Sequence, residues 1–266
     1  MNSAANQEKY AFKGHLCSFV QTLQNHVATE SGSWKIKGFI DTLKNIYTIS
    51  SDTKIISKIL EIHIFPLILP FARQHGYRIE LASQQNYYPD LTFINVDSPD
   101  IKFAVDFKTT FRKNDIYCNG FTLGSHGQYF VDRTSRKNIQ YPYSSYLAHF
   151  CLGIIYDRIV HAIDETKVYS LENLEHIPSV ASRFLFFVAE KWKIASDKGG
   201  SGNTANIGSI KNIQNILDEK GTFAEYGEEV FDDYWMNFGK ITITNNDGST
   251  RKITNLQDFL KFRSKY

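Results

Sequence analysis

The segment KFAVDFKTTF (102–111) constrains the fold most, because it places an acid and a base inside an apolar strand pattern, where isolated charges are costly to bury. Side chains two positions apart on a strand share a face, so Asp106 and Lys108 should project together. The preceding DSPD cluster, with Pro99, predicts a hairpin loop. Asp90 begins the strand before that loop, and the predicted hairpin would place its carboxylate beside that of Asp106.

Two converging carboxylates and an ammonium group are typical of metal-dependent phosphoryl chemistry. The carboxylates offer hard oxygen ligands that suit Mg²⁺. The ammonium can orient or deprotonate a water, or stabilise charge on a phosphoryl oxygen. The short pattern is also consistent with a surface pair of Asp106 and Lys108 and a turn role for Asp90. Glu61 is a further acid, at i+3 from Lys58 on a predicted helix, where periodicity favours a solvated ion pair.

The composition is that of a globular protein with a core: 266 residues, 42% hydrophobic and 14% aromatic. The net charge of +2 neither requires nor excludes a nucleic-acid partner. Three cysteines without CxxC or Cys/His spacing argue against a disulfide framework and a structural zinc site. The longest apolar run, IHIFPLILPFA, is shorter than the roughly 20 residues of a membrane span, so we expect a soluble, cytoplasmic protein without a membrane partner.

The order of predicted elements mixes helices with consecutive strands, which indicates an α/β or α+β class. Helices are predicted over about 8–28, SSDTKIISKILEIHIFPLILPFARQHGY, YSSYLAHFCLGIIYDRIVHAI, and about 227–239 and 254–265. Strands are predicted at WKIKGFI, YRIEL, DLTFINV, KFAVDFKTTF and SRFLFFVAEKWKIAS, and a loop at DKGGSGNTANIGS. Ser51 or Asp52 is the expected N-cap of the second helix. Pro66 and Pro70 should kink or restart that helix, and Gly76 should end it.

The glycine-rich segment GGSGNTANIGS is the second candidate site. Its glycines allow close backbone approach to a partner, and Asn203 can make a bidentate contact to an adenine edge. Ser201 and Thr204 can bond a base edge or a phosphate. A flexible surface loop is the alternative, and the lack of GK[ST] argues against an ATP site. The amides of QQN (84–86) suit base edges but are also common in turns. Basic residues that suit a phosphate-lined groove, or form ordinary surface charge, are Arg112, Lys113, Arg133, Arg136 and Lys137.

In combination, these segments resemble the EcoRV-type type II restriction endonucleases of the PD-(D/E)xK nuclease superfamily. The matching segments, in family order over roughly residues 50 to 240, are SDTK, HGY, QQN with YPD, DFKTT, FTLG, KNIQYP, YLAH and GSGNTANIGSI. The resemblance implies the restriction-endonuclease-like fold, with a central mixed sheet flanked by helices in a single domain spanning 1–266. It also implies that segments of about 1–50 and 143–165 contribute to a dimerisation subdomain.

The resemblance further implies a homodimer that cuts a palindromic duplex DNA site, GATATC with blunt ends. Mg²⁺ is the implied cofactor, for which Mn²⁺ can substitute, and a cognate DNA methyltransferase belongs to the same system. Asp90, Asp106 and Glu61 match the catalytic metal ligands and Lys108 the catalytic lysine. The implied DNA-contacting residues are Thr53, Lys54, Gln84, Gln85, Asn86, Thr110, Lys137, Gly200, Ser201, Gly202, Asn203, Thr204 and Ala205.

Ala205 departs from the family pattern, which has a second threonine at that position of the glycine-rich segment. Alanine loses the hydroxyl but keeps a methyl group that can touch a thymine methyl. Two alternatives stay open at this point. One is another nuclease of the same fold that acts in repair or on junctions, and the other is a non-catalytic DNA-binding protein.

Overall fold

The computed structural model describes residues 3–84, 86–160, 164–200, 203–244 and 247–264. The helices in these ranges are α1 (Ser3–Val27), α2 (Thr53–Gln74), α3 (Ile213–Leu217), α4 (Glu228–Asn237) and α5 (Leu256–Arg263). The strands are β1 (Gly38–Ile40), β2 (Ile46–Thr48), β3 (Tyr77–Leu81), β4 (Leu91–Asn95), β5 (Lys102–Phe111), β6 (Thr122–Ser125), β7 (Ala148–Arg158), β8 (Val168–Tyr169), β9 (Ala181–Glu190), β10 (Ala195–Gly200), β11 (Asn203–Ser209), β12 (Thr242–Thr244) and β13 (Thr250–Lys252).

A five-stranded mixed sheet lies at the centre, with strand order β3-β4-β5-β7-β9. β5 and β7 are parallel, with Asp106 beside Cys151, and the other neighbouring pairs are antiparallel. α1 packs against β9, and α2 packs against β3 and β5. A second hydrophobic cluster joins the sheet to residues of α4 and α5. This arrangement confirms the predicted central mixed sheet flanked by helices.

β7 corrects the sequence prediction, because YSSYLAHFCLGIIYDRIVHAI does not form a long helix. Ala148–Arg158 is a strand inside the sheet, and nearly all of its residues are buried. Phe150 packs in one hydrophobic cluster with Phe12, whereas Cys151 packs in the other cluster with Trp235. A strand buried on both faces has a continuous apolar sequence, which periodicity cannot separate from a buried helix.

α2 begins and ends where the sequence predicts. The Asp52 carboxylate accepts a hydrogen bond from Lys54 N at 2.8 Å, and Gly76, at φ 75°, follows the C-terminal end. The predicted restart at Pro66 and Pro70 is wrong, because the helix continues through both prolines. Both prolines are exposed, so water can satisfy the carbonyl groups that lose an N–H donor.

α2 is also the one helix in the described ranges that is long and apolar enough to cross a membrane. Its buried residues, however, pack in the hydrophobic core together with residues of α1 and the sheet. One such helix is weak evidence for a membrane span, because core helices of soluble proteins pass the same test of length and composition.

The glycine-rich segment is a hairpin rather than a loop. β10 pairs antiparallel with β11, and β11 pairs with β6 in a separate three-stranded sheet. Register shifts interrupt the β10–β11 ladder between Ala195 and Gly199 and between Gly199 and Gly200. Glycine and polar residues are depleted in strands, which explains why the sequence favours a loop here. Ser201 and Gly202 lie outside the described residues.

Two predicted strands are shorter than expected. Within WKIKGFI only Gly38–Ile40 is a strand. Within SRFLFFVAEKWKIAS the strand β9 ends at Glu190, and a 3-10 helix at Lys191–Ile194 leads into β10. The predicted N-terminal and C-terminal helices, the strands YRIEL and KFAVDFKTTF, and the hairpin at DSPD are confirmed.

Candidate active site

Asp90, Asp106 and Lys108 lie together because β4 and β5 are hydrogen-bonded neighbours. Asp90 precedes Leu91, whose partner across the ladder is one residue before Asp106. The Asp90 backbone N–H donates to Asp106 Oδ1 (3.4 Å), and the Phe107 N–H donates to Asp90 Oδ2 (2.8 Å). The hairpin thus fixes the two carboxylates side by side, as the spacing in the sequence predicts.

The carboxylates of Asp90 and Asp106 repel one another, and the Lys108 ammonium attracts both of them. Asp106 is 6% exposed, and its carboxylate forms an ion pair with the Lys108 ammonium. Burial, together with the Asp106 carboxylate, raises the pKa of Asp90 to about 8. Burial is the largest single influence on Asp106 and opposes its ionisation, but Lys108, a hydrogen bond from Asp90 and the Lys191 ammonium together hold the pKa of Asp106 below its usual value. The pKa of Lys108 is raised, because the two carboxylates outweigh the effect of burial. An additional cation would relieve the repulsion between the two acids.

The acid pair fits a small divalent cation. Mg²⁺ is usually held by one or two carboxylates and completes its coordination with water and phosphate oxygens. Asp90 and Asp106 offer two such carboxylates, and the backbone N–H of Asp90 donates to the carboxylate of Asp106. In the described part of the chain, no group of three or more His, Cys, Asp or Glu residues could hold a metal ion. Among the described residues, the side-chain ligands of such a site would therefore be these two carboxylates.

Glu61, the third predicted acid, is not brought to the pair. Its carboxylate lies 2.7 Å from Lys58 Nζ on α2, and the lysine side chain is 65% exposed. The structure therefore shows the solvated i,i+3 ion pair that periodicity favours. A catalytic or metal-binding role for Glu61 stays a prediction.

A cleft of about 380 Å³ joins β5 to two segments predicted to contact DNA. Asp106 and Lys108 line this cleft, together with Asn86 of QQN and Ala205 of the hairpin β10–β11. We call this hairpin, Ala195–Ser209, the recognition hairpin. Asp106, Lys108 and the two candidate DNA-contacting segments thus face one cavity.

The other predicted DNA contacts differ in accessibility. Those that are exposed are Lys54, Gln84, Asn86, Lys137 and Ala205. Thr53 is the first residue of α2, and Gly200 is buried at the end of β10. Thr110 is buried, and its hydroxyl already donates to the Asn119 carbonyl at 2.7 Å. Gln85, Ser201 and Gly202 lie outside the described residues, as do the side chains of Asn203 and Thr204.

Lys191 is a functional candidate that the sequence reasoning missed. It is 2% exposed, and its ammonium has no hydrogen-bond partner within the described ranges. The ammonium lies over the rings of Tyr88, Tyr143 and Phe130, at 4.8, 5.2 and 5.3 Å from their centroids. Burial lowers the pKa of Lys191 to about 8, although the Asp106 carboxylate opposes this shift. A basic residue within the apolar run FLFFVAEKWKI is the sequence signal that could have found it.

Comparison with known proteins identifies the family. The family model described as restriction endonuclease EcoRV matches residues 30–264. The chain is also similar to the type II restriction enzyme EcoRV of Escherichia coli, with 36% identity over 238 residues, which cover 89% of this chain and 94% of that protein. The expected resemblance is confirmed, and it replaces the alternatives of a repair nuclease and a non-catalytic DNA-binding protein. The chain belongs to the EcoRV family and is a type II restriction endonuclease, a hydrolase of DNA phosphodiester bonds.

Proposed function

We propose that this endonuclease acts as a homodimer on a palindromic duplex site, GATATC cut centrally to blunt ends, and that it requires Mg²⁺, for which Mn²⁺ can substitute. The observation that carries the proposal is the meeting of Asp90, Asp106 and Lys108 beside a cleft that the recognition hairpin also lines. Burying two acids next to one another is costly, and such groups cluster at sites that perform chemistry. The enzyme acts in the cytoplasm beside a methyltransferase that protects the host's own sites.

Each of the three groups has a separate role in the proposed reaction. Asp90 and Asp106 would hold Mg²⁺, which supplies positive charge opposite the charge that develops on the phosphate. Lys108 keeps its proton, because the two acids raise its pKa further above the neutral range. Its ammonium is therefore suited to orient the attacking water and to stabilise a phosphoryl oxygen, rather than to act as a base.

The recognition hairpin is the proposed source of sequence selectivity. Two-fold symmetry of a homodimer would present one hairpin to each half of a palindromic site. Asn203 is the proposed adenine contact, and the exposed Ala205 methyl can touch a thymine methyl. A flexible central TA step would add readout through DNA deformation.

The N-terminal region supplies the proposed dimer contacts. In the small sheet β1-β2-β8 and its turn, Phe39, Ile40 and Leu43 are 53%, 60% and 79% exposed. Exposed apolar side chains that lie together are typical of protein interfaces. In the second proposed segment, 143–165, β7 is buried inside the central sheet, so the residues on either side of β7 would make the contact.

Digestion of a plasmid of known sequence tests the proposal. With Mg²⁺ we expect discrete blunt-ended fragments that map to GATATC, and no cleavage in a chelating buffer. Alanine at Asp90, Asp106 or Lys108 should each lower the single-turnover rate by at least about 100-fold while the melting temperature stays near the parent's. Asp97→Ala, an exposed acid in the loop of the same hairpin, is the matched control and should cleave like the parent. Near-parental cleavage by any of the three variants would contradict the proposed site.

A further inference from the structure

The recognition hairpin is fastened to the C-terminal part of the chain at Asp197. The Asp197 carboxylate accepts a hydrogen bond from the backbone N–H of Leu256 through Oδ2, at 3.1 Å. The main-chain carbonyl of the same residue accepts a hydrogen bond from the Tyr234 hydroxyl, at 2.7 Å. One residue of β10 is thus held twice, by its side chain and by its backbone.

The bond to Leu256 uses a donor that the helix α5 leaves free. Leu256 is the first residue of α5, and the first N–H groups of a helix have no partner inside it. The helix's own cap, Asn255, accepts from Asp258 N at 3.0 Å and so satisfies a different amide. A carboxylate also interacts favourably with the positive end of the helix dipole. Asp197 therefore acts as a second cap of α5, supplied by the hairpin.

The anchoring elements are themselves fixed in the core. Tyr234 on α4 is fully buried, and Phe259 on α5 is 4% exposed. Their rings meet edge to face with centroids 5.4 Å apart. Contacts to Asp197 from these two helices therefore come from a well-packed part of the molecule.

The hairpin ladder alone does not fix the stretch that contains Asp197. Ala195 pairs with Ser209 and Gly199 pairs with Ile207, but the register shifts between these two pairs. Asp197 lies within this irregular stretch. A strand that is bulged in this way bends and can re-aim the residues beyond it. An external contact at Asp197 can therefore influence where the β10 side of the hairpin points, in addition to the pairing of β11 with β6.

We infer that Asp197 is a positioning residue for DNA selectivity, which holds the irregular stretch of β10 against α5 and so orients the hairpin towards the base edges. The inference rests on the proposed function of the hairpin as the element that contacts DNA bases. Contacts to base edges discriminate only when their geometry is held closely. Loss of the tether should therefore lower selectivity more than it lowers the rate at any single site.

The test compares single-turnover rates at GATATC and at sites that differ from it by one base pair, with melting temperatures measured in parallel. Asp197→Ala should lower the ratio of the two rates by about tenfold. Leu256→Pro removes the same hydrogen bond from the donor side at a helix position that proline tolerates, and it should lower the ratio similarly. Combining both changes should add little, because they remove one bond. Asp197→Asn keeps an acceptor oxygen and should recover most of the ratio.

Asn255→Ala is the matched control, because it removes the helix's own cap without touching the hairpin. It should lower the melting temperature and leave the ratio unchanged. Equal loss of selectivity in Asn255→Ala and Asp197→Ala would overturn the inference, since both would then act through the stability of α5. A parental ratio in Asp197→Ala, with a collapsed ratio in Asn203→Ala, would also overturn it while leaving the proposed function intact. A parental ratio in Asn203→Ala would remove the proposed function and the inference together.

Discussion

Asp106 of the acid pair and the recognition hairpin line the same cleft, yet the chain builds the two regions in opposite ways. Asp106 lies on β5 and Asp90 directly precedes the neighbouring strand β4, and the ladder between these strands runs without a register shift in buried surroundings. The recognition hairpin belongs to a small sheet with several register shifts, and a contact at Asp197 ties it to distant helices. Continuous pairing fixes the geometry of the acid pair locally, whereas the hairpin that we propose to confer selectivity depends on contacts far along the chain. Changes in the two regions should therefore have separable effects on rate and on selectivity.

Asp90→Asn should separate the effect on cleavage rate from the effect on selectivity most clearly. The variant loses one carboxylate but keeps an oxygen that can accept the Phe107 N–H, so the hairpin should stay intact. We expect the single-turnover rate to fall by at least about 100-fold, with the ratio between GATATC and one-base-pair variants unchanged. A loss of selectivity of similar size would contradict the separation of the two regions.

The same variant should gain stability at high pH. Because the pKa of Asp90 is raised from 3.8 to about 8, the native state holds a proton that the unfolded chain has released, and stability declines as the pH rises between these values. Asp90→Asn lacks this penalty, so its free energy of unfolding should exceed the parent's by on the order of 3 kcal/mol above pH 8. The difference should vanish near pH 4 in denaturant titrations. A difference that does not vary with pH would show that Asp90 carries no such penalty.

Gly153→Ala should damage the sheet without changing selectivity. Gly153 lies beside Lys108 in the ladder, and an added Cβ would approach Phe187 Cζ to 1.9 Å. Overpacking of this kind should lower the free energy of unfolding by about 2 kcal/mol, measured by denaturant titration. Gly14→Ala, where nothing lies within 4 Å of the added Cβ, is the matched control and should not destabilise the protein. A change in the selectivity ratio for Gly153→Ala would show that the two regions are mechanically coupled.

Gly208→Ala should have a smaller effect than Gly153→Ala, and it should change selectivity rather than stability. In the recognition hairpin an added Cβ at Gly208 would lie 2.5 Å from the Lys198 carbonyl oxygen, so β10 and β11 must move apart. We expect the selectivity ratio to fall about threefold to tenfold, with the melting temperature within about 2 °C of the parent's. At Gly127 the nearest atom would be 3.6 Å away, and Gly127→Ala should keep the parental ratio. An unchanged ratio in Gly208→Ala would mean that the hairpin tolerates a shift of its strands.

The geometry of Asp90, Asp106 and Lys108 can be predicted from the sequence because these three residues lie on one hairpin. Alternation places Asp106 and Lys108 on one face, and the turn signal at DSPD brings Asp90 beside them. β7 could not be identified in the same way, because a strand covered on both faces has no alternation to reveal it. The strands of the recognition hairpin could not be identified either, because they are short, polar and rich in glycine, whereas β7 is mostly apolar.

Contacts between distant segments were also beyond prediction from local patterns. Asp197 meets the first amide of α5, and Lys191 lies over the ring of Tyr88, but no spacing rule connects either pair in the sequence. Only the sheet order and the packing of the helices bring these residues together. The resemblance to a known family pointed to Asp90, Asp106, Lys108 and the hairpin as candidate site elements, but it carried no information on what holds the hairpin in position.

Two amines act on Asp106, because Lys108 forms an ion pair with its carboxylate and the Lys191 ammonium attracts it. Since the raised pKa keeps Asp90 largely protonated at neutral pH, these four groups together carry a positive charge before any substrate arrives. A cluster of that kind attracts a phosphate group and repels a free divalent cation. The phosphates of a bound duplex would add the negative charge that favours a cation beside the two acids. We therefore expect a divalent cation to bind more tightly to the complex with DNA than to the free enzyme.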